Sequence, residues 1–351
     1  MTLKVTTWNL EYCYKLIKDS PSNKELERRQ RVYDTITEIN PDILCIQEGP
    51  SKEEGINKFS NLVLNNEWVP VLMPQNDKTQ AQRNKDYNTK GSQWVWFLVK
   101  PELLPKCRIQ DPETWDNWIG SPDWDVHYWG KIPKEKHSHY RHPQVLIYKH
   151  EEGKELEIIG VHLKSRYNRK TAEWDQGNLV GPFLDTALKN RVKLATEARN
   201  IRAYISKKYE QLEHPAIIVL GDCNDGPGHD YFEKMYLFFD LISNIQGDVV
   251  ISNRFFNHAL FDFQDDLAWT AKFRDRITYP NQGEIPMLLD HILMSQALCQ
   301  EYFPLQVNPH AGSVEHQAYE RNNSGATANA ITSDHRPVSI ILEPLPPPQP
   351  A

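Results

Sequence analysis

Eight polar residues of this 351-residue sequence have the types and the placement to do chemistry together. Asn9 stands in TWNLEY, Glu48 in IQEG, His162 in VHLKS, Asp222 and Asn224 in GDCND, Asp290 in LDHI, and Asp334 and His335 in SDHRP. Each borders a run of apolar, often β-branched residues, where a layered α/β scaffold exposes side chains to a shared cleft. Oxygen donors dominate the set and two imidazoles accompany them, the inventory of a hard-cation site beside a phosphate. A tetrahedral zinc site would call for more His or Cys, so magnesium or manganese suits these donors better. A cation on a non-bridging oxygen offsets the negative charge that repels a nucleophile from a phosphodiester. A carboxylate or imidazole that takes a proton from water adds on the order of 10²–10⁴-fold in rate. Asp222 and His335 are both candidates for that proton, and one ion or two would fit the donor count.

Taken singly, each residue has an ordinary explanation. Asn9 can cap a turn after a strand, and Glu48 can sit in a surface ion pair. Asp222 and Asp225 can be turn residues, and His162 a hydrogen-bonded core histidine. For there to be no site, these readings would have to hold together at every strand end.

The elements that must position these residues are legible from periodicity. LKVTTWN (3–9) alternates at period two, as a half-buried strand does. Residues 23–39 place Leu26, Val32, Ile36 and Ile39 at helical spacing before Pro41. DILCIQ (42–47), QWVWFLV (93–99), QVLIYK (144–149), LEIIGVHLK (156–164), AIIVLGD (216–222), LLDHILMS (288–295) and PVSIILE (337–343) read as strands. A long helix is expected over 185–209, with Leu188, Val192, Ala195, Ala198, Ile201 and Ile205 along one face. Consecutive strands without an intervening helix exclude a purely parallel sheet.

Composition narrows the class further. Charged residues make up 25% and hydrophobic residues 39%, which excludes an unfolded polyelectrolyte. No apolar run is long enough for a membrane span, and MTLKVTTWNLEY lacks an apolar signal core, so a cytoplasmic protein is expected. Cys13, Cys45, Cys107, Cys223 and Cys299 are scattered and odd in number, which excludes a disulfide framework. The net charge of -7 argues against a protein that coats nucleic acid by charge alone. There is no internal repeat and no Gly/Ser linker. The expectation is one domain over 1–344, with an acidic, Trp-rich insertion near 106–140 and a Pro-rich tail at 345–351.

These motifs, in this order from Trp8 to Val338, resemble the endonuclease/exonuclease/phosphatase superfamily and its deoxyribonuclease-I-like fold. The resemblance implies an α+β architecture: a four-layered α/β sandwich, two packed mixed β-sheets flanked by helices. It implies hydrolysis of a phosphoester by metal-assisted in-line attack, with Mg²⁺ or Mn²⁺ as cofactor. Glu48 is then the principal metal ligand, with Asn9 beside it and Asp334 able to join the metal shell. Asp222 and Asn224 resemble the pair that polarises the attacking water and holds the phosphate. His335 resembles the histidine that touches the scissile phosphate, and Asp290 the carboxylate that orients it. His162 matches the second histidine of the deoxyribonuclease and sphingomyelinase branches. Arg141, in YRHPQVLIY, resembles a phosphate-facing arginine, although His142 intervenes before Pro143. Nucleic acid, DNA or RNA, is the expected substrate, with no obligate protein partner. A small or lipid phosphodiester is the alternative, and a catalytically silent binding module ranks last because the ligands are all present.

Two stretches have a character of their own. Lys164, Arg166, Arg169 and Lys170 form the strongest local basic cluster, either a track for a phosphate backbone leading to the cleft, with Lys164 and Arg166 as its phosphate-binding candidates, or a solvated loop. Residues 111–129 carry Trp115, Trp118, Trp124 and Trp129 among acids and no Lys or Arg. These indoles can stack on bases, but fastening an insertion onto the sandwich is the commoner use of buried Trp.

Overall fold

Valine, threonine and tryptophan favour extended backbone, and LKVTTWN forms β1, Leu3–Asn9. The computed structural model describes residues 1–346 apart from 128–133, 152, 167, 228–229, 237–239 and 328–329. Ser22 and Glu25 make a capping box at the start of α1, Asn23–Ile39, and Asn40 ends it in the left-handed region. β2 (Ile43–Gly49) lies parallel to β1. After α2 (Lys52–Leu64) come β3 (Val69–Pro70) and β4 (Trp94–Val99), and β4 pairs antiparallel with both β2 and β3.

The middle of the chain builds a second sheet. Its strands are β5 (Cys107–Ile109), β6 (Gln144–Lys149), β7 (Glu155–His162), β8 (Ala216–Asp222), β9 (Asn257–His258) and β10 (Asp290–Met294). They lie in the order β9-β10-β8-β7-β6-β5, with β7 and β8 parallel and the other pairs antiparallel. Helices α3 (Pro112–Ile119), α4 (Gly181–Gln211) and α5 (Leu241–Gln246) accompany this half. β11 (Leu305–Val314), α6 (His316–Asn323) and β12 (Val338–Pro344) return to the first sheet, whose order is β11-β12-β1-β2-β4-β3. The result is the expected α+β layered sandwich of two mixed sheets flanked by helices.

The sheets meet face to face, and Gly160 sets how closely. A Cβ there would lie 2.8 Å from Cys45 Sγ and 2.9 Å from Val95 Cγ1. Period-two alternation then sorts the neighbouring side chains. Leu156 and Ile158 of β7, Ile218 and Leu220 of β8, and Ile292 and Met294 of β10 belong to the core that fills the space between the sheets. Ile159, Ile217, Val219 and Leu293 join Leu194, Ala198, Ile201 and Ile205 of α4 in a second core on the outer face.

Several elements differ from the sequence reading in extent. The long helix spans 181–211 rather than 185–209, with Pro182 in its first turn, where a missing N–H costs nothing. The strand expected over 288–295 narrows to 290–294. β11 has no counterpart in the sequence reading, because its LQVNPHAGSV carries a Pro and a Gly; it is an edge strand with a register shift between Val307 and Gly312, where both are tolerated. Trp115 is fully buried and stacks on Tyr204 of α4, with centroids 3.9 Å apart, and its Nε1 donates to Asn200 Oδ1. Packing, not base stacking, is the work of that indole. Trp129 and the tail beyond Pro346 lie outside the described residues. No helix among the described residues is long and apolar enough to cross a membrane.

Candidate active site

Parity carries the strand-end residues to one place. His162, Asp222 and Asp290 fall at the even positions that face the space between the sheets, each at or beside the end of its strand. The ladder register sets Asp222 directly opposite His162 on one side and Asp290 on the other. From the facing sheet, Asn9 at the end of β1 donates its Nδ2 to Asp222 Oδ2 at 2.9 Å. Asn224, at φ 53, folds back over the same carboxylate. Its backbone N–H donates to Oδ1 at 2.8 Å and its Nδ2 to Oδ2 at 3.1 Å. His162 Nε2 lies 3.4 Å from Asp222 Oδ2.

His335 reaches the group from the loop before β12. Its Nδ1 and Asp290 Oδ2 are 2.6 Å apart, and both side chains are buried. Burial opposes a charge on this imidazole, yet Asp290, through its charge and its hydrogen bond, raises the His335 pKa well above the ordinary histidine value, with Asp222 and Asp334 adding to the shift. Asp222 is itself raised, by burial first and by Asp290, against the lowering pull of His335. His162 moves the other way: burial, then the cations of Arg141 and His335, hold it neutral. The loop is fixed from behind. Ser333 Oγ donates to the Asn9 carbonyl at 2.6 Å and accepts the His335 N–H at 3.2 Å, and Trp8 Nε1 donates to the His335 carbonyl at 2.9 Å.

Glu48 arrives by a different device. On an unbroken β2 it would point away from Cys45 and Gln47, toward the helices. A β-bulge shifts the register between Ile46 and Gly49, and Glu48 itself takes φ 54. Bulges and left-handed non-glycine residues re-aim side chains at the cost of local strain. The half-buried carboxylate accepts the Tyr12 N–H at 3.2 Å through Oε2. Asp334 is exposed at the same rim. Glu11, within the TWNLEY motif, is not among the residues the sequence singles out; its half-buried carboxyl is raised by burial, by Asp334 and, after the lowering pull of Arg28, by Glu48.

Asp222, Asp290 and His335 offer ligand atoms within 4.8 Å of one another, and no other such trio of His, Cys, Asp or Glu occurs among the described residues. Their chemistry favours an acid–base cluster over a cation cage, because Asp290 is spent on a protonated imidazole. Oxygen donors for a hard cation are found beside it instead. Asn9 Oδ1 is buried without a partner, and the carboxylates of Glu48 and Asp334 stand at the rim with that of Glu11. His162 Nδ1 and Asp290 Oδ1 are likewise buried and unpartnered. Such atoms cost about 1–3 kcal/mol each unless something binds them.

The cations lie differently from one another. Arg141 donates from Nε to the His162 carbonyl, from Nη2 to the Leu163 carbonyl and from Nη1 to Gln93 Oε1. Three of its five N–H groups are thus fixed at the edge of the cluster. Arg166 turns to carboxylates, with Nη1 2.8 Å from Asp225 Oδ1 and 3.2 Å from Asp230 Oδ2. Lys164 is half-buried, its Nζ donating to the Ser165 carbonyl at 3.1 Å. Arg169 and Lys170 are the exposed members of the basic stretch. Glu197 of α4 gives no signal in the sequence, 33 residues from its partner, yet its buried Oε2 accepts the Lys164 N–H at 2.8 Å and so pins the segment after His162.

A sandwich of two mixed sheets with strand-end carboxylates, amides and histidines gathered at the seam defines a class of phosphoester-cleaving proteins. The chain matches the Endonuclease/Exonuclease/phosphatase family over residues 6–335 and belongs to that family, whose members are phosphoester hydrolases typically dependent on a metal ion. Among solved structures it is similar to truncated TDP2 of Caenorhabditis elegans, at 12% identity and a TM-score of 0.50 over 98% of each chain. It is also similar to D. rerio TDP2 complexed with a single-strand DNA product, at 12% identity and a TM-score of 0.50 over 97% of this chain and 99% of that one. The human nocturnin catalytic domain with bound sulfate is 14% identical, with a TM-score of 0.47 over 98% and 95% of the two chains. At these identities the likeness establishes the fold. No curated protein matches the sequence.

Proposed function

We propose that this protein is a divalent-metal-dependent phosphodiesterase that hydrolyses nucleic-acid phosphodiester bonds with an activated water. The observation that carries the reading is the single hydrogen-bonded group that Asn9, Asp222 and Asn224 form across the seam, with His162 and the Asp290–His335 pair around it. In this reading Glu48 and Asn9 Oδ1, with Asp334, hold Mg²⁺ or Mn²⁺, and the bound ion supplies charge stabilisation to a non-bridging phosphate oxygen. Asp222, held by three N–H donors, orients the attacking water from its remaining lone-pair positions, and Asn224 steadies both carboxylate and phosphate. His335, charged and anchored by Asp290, presents Nε2 to the phosphate. His162 Nδ1 and the free N–H groups of Arg141 add contacts from the β7 side. That one of the similar structures is TDP2 with a single-strand DNA product supports nucleic acid as the substrate class.

The test is hydrolysis of single-stranded DNA, RNA and methyl p-nitrophenyl phosphate by purified protein with Mg²⁺, Mn²⁺ or EDTA. Turnover with either metal and none with EDTA is expected. Turnover that survives EDTA and exhaustive dialysis would refute the metal-dependent mechanism.

A further inference from the structure

The rim beside Glu48 carries two aromatic rings that the chemistry above does not use. After β1 the chain passes through Glu11 and Tyr12 into a 3-10 turn, Cys13–Ile17. Cys13 and Leu16 are buried beneath the turn, while Tyr12 and Tyr14 stand 45% and 49% exposed. Their rings meet edge to face with centroids 6.2 Å apart. Tyr12 adopts φ 52, a left-handed conformation that is unfavourable for an aromatic residue. Its N–H, donated to Glu48 Oε2, ties the ring through one residue's backbone to the carboxylate of the proposed metal site. In a 3-10 turn, residues three apart eclipse, and Lys15 accordingly sits over Tyr12, its Nζ 4.1 Å from the ring centroid. The Tyr12 phenol also feels the carboxylates of the rim, Glu11 first and then Glu48 and Asp334, together with its partial burial; all raise its pKa.

We propose that Tyr12 and Tyr14 form an aromatic wall that stacks a nucleobase beside the scissile phosphate, with Lys15 meeting the adjoining phosphate. This rests on the phosphodiesterase reading and sharpens it: the preferred substrates are nucleotidyl diesters rather than alkyl or lipid ones. Aromatic rings beside carboxylates would also attract a quaternary ammonium headgroup. Here the protein's own cation already occupies a face of Tyr12, which favours a neutral base over a second positive charge. A ring plus a neighbouring cation is the pairing that single-stranded nucleic acid uses, base on the one and phosphate on the other.

Tyr12→Asn removes the ring and tolerates the left-handed backbone, and Tyr12→Phe keeps the ring. Three p-nitrophenyl esters share a leaving group: those of thymidine 5′-monophosphate, methyl phosphate and phosphocholine. In Tyr12→Asn, kcat/KM for the thymidine ester should fall about 5-fold or more, the loss a single base stack carries, while the methyl and choline esters change less than about twofold. Tyr12→Phe should match wild type on all three. Equal losses on the thymidine and methyl esters would overturn the proposal and leave the ring as a support for Glu48. A larger loss on the choline ester would overturn it in favour of a cationic headgroup. If Tyr12→Asn melts far below wild type, Tyr14→Ala carries the same comparison. Failure of wild type on all three esters and on single-stranded DNA and RNA with either metal would sink the phosphodiesterase reading instead. The wall is then judged by calorimetric titration with thymidine 5′-monophosphate and methyl phosphate, and it stands only if Tyr12→Asn weakens the first selectively.

Discussion

Asn9 gives its Nδ2 to Asp222 and leaves its Oδ1 buried without a partner, the atom the proposed reading assigns to a cation. On the proposed reading, Glu48 supplies the charge that Asn9 lacks, and the two would hold the ion together. Glu48→Gln keeps the shape and removes that charge. Thermal melts with titrated Mg²⁺ should show wild type gaining about 2.7 kcal/mol at a hundred times its Kd, and the variant much less at the same concentration. An identical metal-induced shift in both would remove Glu48 from the metal site. The Asp290–His335 pair makes a separate prediction, because the 2.6 Å contact between buried groups makes them one unit. His335→Ala should cost on the order of 10²–10⁴-fold in kcat. Asp290→Asn should be damaging as well, since an amide cannot balance an imidazolium. The double variant should be scarcely worse than His335→Ala, and additive losses in steady-state kinetics would dissolve the dyad.

Strand ends are the legible part of this molecule, and the reason is physical. β1, β7, β8 and β10 are buried runs with a polar residue where they leave the core, so period two and a change of polarity mark both the strand and its functional end. Glu48 illustrates the opposite case, since only a bulge turns it away from the helix face, and nothing in IQEG announces that bulge. Glu197 and Ser333 act through backbone N–H groups and carbonyls of distant segments, which leave no mark on composition or spacing. The same holds for a histidine chain that joins β9 to the loop after β8. Leu260 N–H donates to His258 Nδ1 at 3.0 Å, so His258 carries its proton on Nε2 and gives it to His291 Nδ1 at 2.9 Å. His291 Nε2 in turn donates to the Asp225 carbonyl at 2.8 Å. Burial, and then His291, lowers the His258 pKa from an ordinary 6.5 to about 3. Between these values the unfolded chain takes up more protons than the folded one. The stabilisation is therefore whole above pH 6.5 and is lost as pH falls through about 3. His258→Gln keeps a donor for His291 and does not titrate, so its melting temperature should fall less steeply than that of wild type between pH 6.5 and roughly pH 4. Parallel curves would show that the chain contributes nothing to acid sensitivity.

The whole molecule carries a formal charge of -7 and yet, on the proposed reading, must hold a polyanion. Arg166 is committed to Asp225 and Asp230, which leaves Arg169 and Lys170 as the exposed cations of the basic stretch. Arg169→Gln with Lys170→Gln should raise KM for long single-stranded DNA and flatten its salt dependence by about 0.7–0.9 in log–log slope for each phosphate no longer neutralised. Methyl p-nitrophenyl phosphate should be cleaved as before, and an unchanged slope would make the stretch solvated surface. Strand order in the first sheet also bears on when the enzyme can first act. β12, which follows every other strand among the described residues, lies inside that sheet between β11 and β1, and the loop before it brings His335 and the Ser333 tie to Asn9. A ribosome that has released β1 through β11 has therefore made a sheet with a gap beside its first strand and an Asp290 with no imidazole to orient. Such long-range pairing folds slowly, so assembly of the site is expected to wait on the insertion of β12. On the proposed reading, phosphodiester hydrolysis is thereby withheld from a chain whose β12 and preceding loop are not yet in place.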